Sequence, residues 1–319
     1  MEDITLEKAA ALLLEHDNIL ILMHKSPDGD TIGSGYALCL ALRKAGKKAQ
    51  AICSDHIPAK YGYITDSIEP QDFEPDFIVS ADIAAPQLFG DKLEVYKDSV
   101  DLCIDHHGSN TKFAKYSHVE PNAASCAEIV ARLIPLLGTE IDAPAADALF
   151  TGISTDTGCF KFRNTSADTF RAAAEMIDRG ARNYLISTLM FDTKSKAQLE
   201  LEKRAIETID YRMDGKIAII TLTTEMMKST GADESETEYI VSLPRQIEGV
   251  MAGVTIKQKG ERLCRISVRA SDGVDASEIC RLFGGGGHKG AAGCSIEASP
   301  EETKELIAEA IEKVIGKQI

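Results

Sequence analysis

Three short apolar runs in this chain each stop at a residue that can bind a metal, and no other feature constrains the fold as tightly. Asn18-Ile19-Leu20-Ile21-Leu22-Met23 leads into His24-Lys25-Ser26-Pro27-Asp28-Gly29-Asp30. Asp76-Phe77-Ile78-Val79-Ser80 leads into Ala81-Asp82, and Val100-Asp101-Leu102-Cys103-Ile104 into Asp105-His106-His107-Gly108. Apolar runs of this length, separated by helix-like stretches, predict buried strands of a mostly parallel sheet flanked by helices. In such a sheet the strands finish on one side, and ligands bind beyond their carboxyl ends. Residues far apart in sequence are therefore expected to meet there. A fourth polar segment, Thr155-Asp156-Thr157-Gly158, follows a predicted helix over 144–153.

Carboxylate oxygen and imidazole nitrogen together make a divalent-metal ligand set, and Asp28, Asp30, Asp82 and Asp156 suffice for two ions. The expected chemistry is metal-assisted hydrolysis. The net charge of −15 argues against a protein that grips long nucleic acids through many phosphate contacts. Two divalent ions would offset the four carboxylates, so a small anionic substrate remains compatible. His16, His56 and His118 lack ligand spacing and read as surface or capping residues, and Asp272 and Asp275 as turn and helix-cap residues.

A length of 319 residues predicts about two domains. Helices are expected over 4–15, 31–45 (closed by Gly46), 125–137 (Ser125 and Glu128 spaced as a capping box), 166–179 and 182–190. The charged, glycine-free stretch over 193–212 reads as a solvated connecting helix, which divides the chain into 1–192, the connector 193–212, and 213–319. The last part is expected to be a smaller α/β domain, with strands over 216–222, 249–257 and 263–268 and helices near 275–283 and 301–314. It contains Phe283-Gly284-Gly285-Gly286-Gly287-His288-Lys289-Gly290. Four consecutive glycines lose much conformational entropy on folding, and close approach of backbone amides to an anion would offset the loss. Arg269, closing the strand over 263–268, suits phosphate geometry. The eight scattered cysteines form no CxxC pair, no basic-then-apolar leader opens the chain, and no apolar run reaches membrane-spanning length. A cytoplasmic location and no membrane contact are expected.

The order His-x-x-x-Asp-x-Asp, a lone Asp after a strand, Asp-His-His, Asp-Thr-Gly and a C-terminal GGGGH resembles the DHH/DHHA1 phosphoesterase superfamily. Within it, the chain is similar to the NrnA-like oligoribonucleases and 3′-phosphoadenosine 5′-phosphate phosphatases. The resemblance implies an N-terminal DHH domain that binds two Mn²⁺, with Mg²⁺ as the alternative, and a DHHA1 domain that contacts the substrate. His24, Asp28 and a bridging Asp82 would hold one ion, and Asp30, Asp82, His106 and Asp156 the other. His107 would contact the phosphate and Asp105 would orient its loop, while the two adjacent histidines are expected to point opposite ways. Arg269, His288 and the amides of Gly284, Gly285, Gly286 and Gly287 would hold the substrate. The implied partners are short RNA oligonucleotides and 3′-phosphoadenosine 5′-phosphate, with no long duplex, and a homodimer is compatible with the pattern. Rival readings are a phosphodiesterase for pApA or cyclic-di-AMP, a family II pyrophosphatase, a RecJ-type nuclease, and a nucleotide-binding sensor without turnover.

Overall fold

The computed structural model describes residues 1–66, 68–271 and 273–316, with backbone alone at 235, 238 and 316. The expected turn residue Asp272 lies outside the described residues. The chain divides into two compact units between Thr193 and Lys194.

The first unit carries strands β1 (Glu2–Asp3), β2 (Ile19–Met23), β3 (Ala49–Cys53), β4 (Phe77–Ala81), β5 (Leu102–Asp105) and β6 (Tyr116–Val119). They form one parallel sheet in the order β1-β6-β5-β4-β2-β3. The three strands legible as apolar runs, β2, β4 and β5, are adjacent in its middle. Central strands of a parallel sheet are buried on both faces and so carry continuous apolar sequence. Alternate residues of β2 illustrate this: Ile19, Ile21 and Met23 pack into one layer, and Leu20 and Leu22 into the other. The outer strands β3 and β6 are only partly buried and carry no such run, which is why the sequence pattern missed them.

Helices α1 (Leu6–Glu15), α2 (Gly29–Lys44), α3 (Gly62–Thr65), α4 (Cys126–Leu136), α5 (Ala143–Asp156), α6 (Ala167–Asp178) and α7 (Asn183–Ser187) complete this unit. Asp28 caps α2 through the amides of Asp30 and Thr31, and Ser125 caps α4 through the amide of Glu128. Gly46 follows α2 at φ +85°, where a side chain would be strained. Helices α2 and α5 meet almost backbone to backbone. A Cβ on Gly33 would lie 2.3 Å from the Ala148 carbonyl oxygen, and one on Gly29 2.3 Å from Thr155 Oγ1. This close approach sets Asp28 and Asp30, at the start of α2, near Asp156, at the end of α5.

The second unit contains β7 (Asp210–Arg212), β8 (Ile217–Leu222), β9 (Ala252–Gly260), β10 (Leu263–Ala270), β11 (Gly286–His288) and β12 (Ala291–Ile296). The sheet order is β11-β12-β10-β9-β8-β7, with β8 and β9 parallel and the other pairs antiparallel. Helices α8 (Lys196–Glu207), α9 (Thr224–Thr230), α10 (Glu238–Ser242), α11 (Ala276–Arg281) and α12 (Pro300–Gly316) accompany it. Val254, Ile256, Ile266 and Val268 pack from one face of the sheet against Ile279, Ile307 and Ile311.

The stretch expected to be a solvated connector is built into this second unit. Leu201 and Ala205 of α8 are fully buried against Ile220, Leu222 and Ile240, and 210–212 forms the edge strand β7. The narrow i, i+4 apolar seam of α8 is outnumbered by the charged residues of its outer face, so composition alone pointed to solvent.

Candidate metal centre

Strand ends and helix ends bring the four polar segments together at one rim of the first sheet. His24 follows β2, and its Nδ1 lies 2.8 Å from the Lys25 carbonyl oxygen. A carbonyl only accepts, so Nδ1 carries a proton and Nε2 is the nitrogen turned toward the carboxylates, the one that would bind a cation once its own proton is displaced. That Nε2 lies 3.5 Å from Asp28 Oδ1 and 3.6 Å from Asp82 Oδ2. His106 is held in the same way, with Nδ1 3.2 Å from the Ala123 carbonyl oxygen. Its Nε2 faces Asp82 Oδ1 at 3.5 Å, Asp156 Oδ2 at 3.5 Å and Asp30 Oδ2 at 3.7 Å.

Asp82 stands between the two groups. It follows β4 with φ +62°, a left-handed conformation that a non-glycine residue holds only against strain. Its side chain is 3 % exposed, and buried Oδ1 has no hydrogen-bond partner among the described residues. A buried carboxylate oxygen left without a donor is costly unless something else satisfies it. The separations of about 3.5 Å are too long for hydrogen bonds but suit atoms that share a cation, with ligand bonds of about 2.1 Å. The donor set therefore fits divalent ions on both sides of Asp82.

The electrostatics agree. Burial first, and then the negative charge of Asp30 and Asp28, push the Asp156 carboxyl up to about 8. Burial and the Asp30 charge likewise raise Asp82 well above the ordinary range, and burial raises Asp30. Burial opposes the His24 imidazolium, yet Asp28 and Asp82 outweigh it and lift His24 to about 11. In the absence of cations this cluster holds protons against its own charge, and cations would replace them.

Asp30 has a further role. Its Oδ1 accepts from the Ala127 amide at 2.9 Å and Ser34 Oγ at 3.2 Å, and its Oδ2 from the Cys126 amide at 2.6 Å. The carboxylate therefore sits on the amino end of α4, with Oδ2 turned toward His106. The amides that fix it carry no signature in side-chain sequence.

His107 does not diverge from His106 as an extended segment would require. The rings lie 4.5 Å apart, and His107 Nδ1 is also 3.5 Å from Asp82 Oδ1. The cause is Asp105, fully buried at the end of β5, which gathers the loop around its carboxylate. Its Oδ1 accepts from the amides of His106 and His107 and lies 2.7 Å from His107 Nδ1. Its Oδ2 accepts from Asn110 Nδ2 at 2.6 Å. The Asp105 hydrogen bond, working against burial, raises His107 to about 9. The exposed edge of His107 faces a cavity of about 320 Å³ bordered by Asn110, Lys112 and His118.

Two positioning residues escaped the sequence pattern. Asn110 anchors Asp105, and Thr31 Oγ1 donates to the Ala81 carbonyl while accepting from the His24 amide. Ordinary polar residues in a loop and on a helix carry no distinguishing spacing.

In the second unit Arg269 lies on β10 and His288 on β11. The glycine run is neither a linker nor an open row of donors. The amides of Gly284 and Gly285 donate to the carbonyls of Arg281 and Cys280, closing α11, so these two are not free to hold an anion. Gly286 and Gly287 enter β11, where a Cβ on Gly287 would lie 2.6 Å from the Ala291 carbonyl oxygen. Close strand packing thus explains part of the run.

Comparison with known proteins defines the class. Residues 18–153 match the DHH family N-terminal domain, and 214–317 match the DHHA1 domain. The chain belongs to the DHH/DHHA1 phosphoesterases, which are metal-dependent hydrolases. Within them it is similar to the bifunctional oligoribonuclease and PAP phosphatase NrnA of Thermus thermophilus, 32% identical over 92% of this chain and 89% of that protein. An exopolyphosphatase-related protein from Bacteroides fragilis superposes with a TM-score of 0.88 at 25% identity, covering 98% of this chain and 97% of the other. An exonuclease RecJ solved with manganese shares the fold, with a TM-score of 0.57 at 13% identity over 98% of this chain and 94% of that one.

Proposed function

We propose that this protein is a Mn²⁺-dependent phosphoesterase that cleaves very short RNA to mononucleotides and removes the 3′-phosphate of 3′-phosphoadenosine 5′-phosphate. The observation that carries the reading is Asp82, whose two oxygens face two separate imidazole and carboxylate groups. His24, Asp28 and Asp82 would hold one ion, and Asp30, Asp82, His106 and Asp156 the other. Such a pair supplies a water of lowered pKa and neutralises charge on the phosphoryl oxygens.

The protein's own residues do the rest. Asp105 fixes the His107 ring through Nδ1 and favours its protonated form, in which the remaining N–H would donate to a phosphoryl or leaving oxygen. Arg269 and His288 are the proposed nucleotide contacts of the second unit. The name of the 32% identical relative supports both activities, and the acidic surface favours substrates too short to need contacts outside the site.

The test is a turnover panel with Mn²⁺: 3′-phosphoadenosine 5′-phosphate, RNAs of about two to five nucleotides, an RNA of about 24, pApA, cyclic-di-AMP and pyrophosphate. Release of phosphate from the first and preference for the shortest RNAs are expected. Binding without turnover would make the protein a sensor, and equal cleavage of the longest RNA would require a binding track that the acidic surface argues against.

A further inference from the structure

The ladder of the second sheet aligns Gly253, Arg269, Ala291 and His288 in one row across β9, β10, β12 and β11. Directly opposed residues place their side chains on the same face, so Arg269 stands between two positions with almost no side chain. The next row on that face, Thr255, Ser267, Gly293 and Gly286, is also small. The opposite face is the apolar core. Above Gly253 passes the turn Pro244–Gln246: a Cβ there would lie 2.5 Å from the Arg245 amide nitrogen and 3.0 Å from its Cα. The missing side chain of Gly253 therefore lets the backbone of Arg245 settle over the row that holds Arg269.

No carboxylate pairs with Arg245 or Arg269 among the described residues, and Arg269 makes one long hydrogen bond, 3.3 Å to the Val268 carbonyl oxygen. Burial, and after it the charge of Arg245, push the Arg269 guanidinium below its ordinary value. The Arg245 side chain is exposed while its backbone lies over the row, and an anion placed between two like charges that sense one another relieves their repulsion.

We propose that Arg245 joins Arg269 in a clamp for a phosphomonoester dianion, which makes Arg245 a residue that selects nucleotides ending in a free phosphate. Two guanidinium forks match a doubly charged terminal phosphate in both charge and geometry, whereas an internal diester offers one negative charge. Its bearing on substrate choice rests on the proposed hydrolytic function; anion binding itself does not.

The full chain, freed of metal and chelator, is titrated with 5′-AMP, 3′-AMP and adenosine. At least one monophosphate should bind ten or more times as tightly as adenosine, and which one does identifies the terminus recognised. Arg245→Ala and Arg245→Gln, with unchanged circular dichroism, should each lose most of that advantage. Equal binding of monophosphate by the parent and both variants, or no advantage over adenosine, overturns the clamp. With Mn²⁺, Arg245→Ala should lower kcat/KM for pApA at least tenfold more than for ApA, and equal losses would assign Arg245 a general structural role. If the parent cleaves neither dinucleotide, the hydrolytic reading fails while the nucleotide titration still decides the clamp.

Discussion

A single carboxylate, Asp82, links both halves of the metal centre, and it contributes little to packing. Asp82→Ala should therefore abolish hydrolysis at any Mn²⁺ concentration while leaving circular dichroism unchanged. His24→Ala removes a ligand from one side only, so its activity should return in part as Mn²⁺ is raised. Steady-state rates across a Mn²⁺ series check both, and comparable rescue of the two variants would remove the special position of Asp82. The Asp and His residues proposed as ligands stood out in the sequence because such a cluster at strand ends has no purpose in a core, and the fold brings them to one rim. Asn110 and Thr31 did not stand out, because an isolated polar residue looks the same in sequence whether it faces solvent or a site.

Helix packing sets how far apart the carboxylates stand. Gly33→Ala would press a methyl against the Ala148 carbonyl and force α2 from α5, with a cost of about 1–3 kcal/mol. A lower melting temperature together with weaker Mn²⁺ binding is expected, and a variant with unaltered metal affinity would show that the helix spacing does not set the site. A second element-level device joins β6 to α4. Glu120 accepts from His118 at 2.7 Å and Arg132 at 2.7 Å, and His118 Nδ1 donates to the Ile4 carbonyl at 2.9 Å. The His118 hydrogen bond, then Arg132, hold Glu120 at about 2, below its ordinary 4.5; burial opposes charge on His118, but Glu120 and Ile4 raise it above 6.5. The Glu120 contribution is complete above pH 4.5 and fades as pH falls toward 2. That of His118 is complete below pH 6.5 and fades as pH rises through its raised value. Glu120→Gln should thus cost most between pH 4.5 and 6.5, about 1–2 kcal/mol in denaturant titrations, and little near pH 2. A pH-independent difference would mean the cluster is not coupled to folding. Such contacts, like the buried seam of α8, depend on which elements become neighbours, and local sequence does not state that.

At the scale of the whole molecule, the two-unit plan followed from length and from the charged, glycine-free stretch over 193–212, and the central sheet from three apolar runs. The outer strands and the mixed order of the second sheet did not, since half-buried segments alternate too weakly to be read. The proposed ligands come from segments spread from His24 to Asp156, and no short stretch of unfolded chain brings them together. Mn²⁺ would consequently bind the native first unit and hardly the denatured chain, so the ion acts by mass action as a ligand of folding. At about a hundred times its dissociation constant it would add about 2.7 kcal/mol. Calorimetry of the full chain should show a transition that climbs with Mn²⁺ and, if the second unit melts separately, another that stays in place. The rim of the sheet would then set the temperature range over which the protein survives as well as the reaction it performs, and metal supply would govern its lifetime together with its rate.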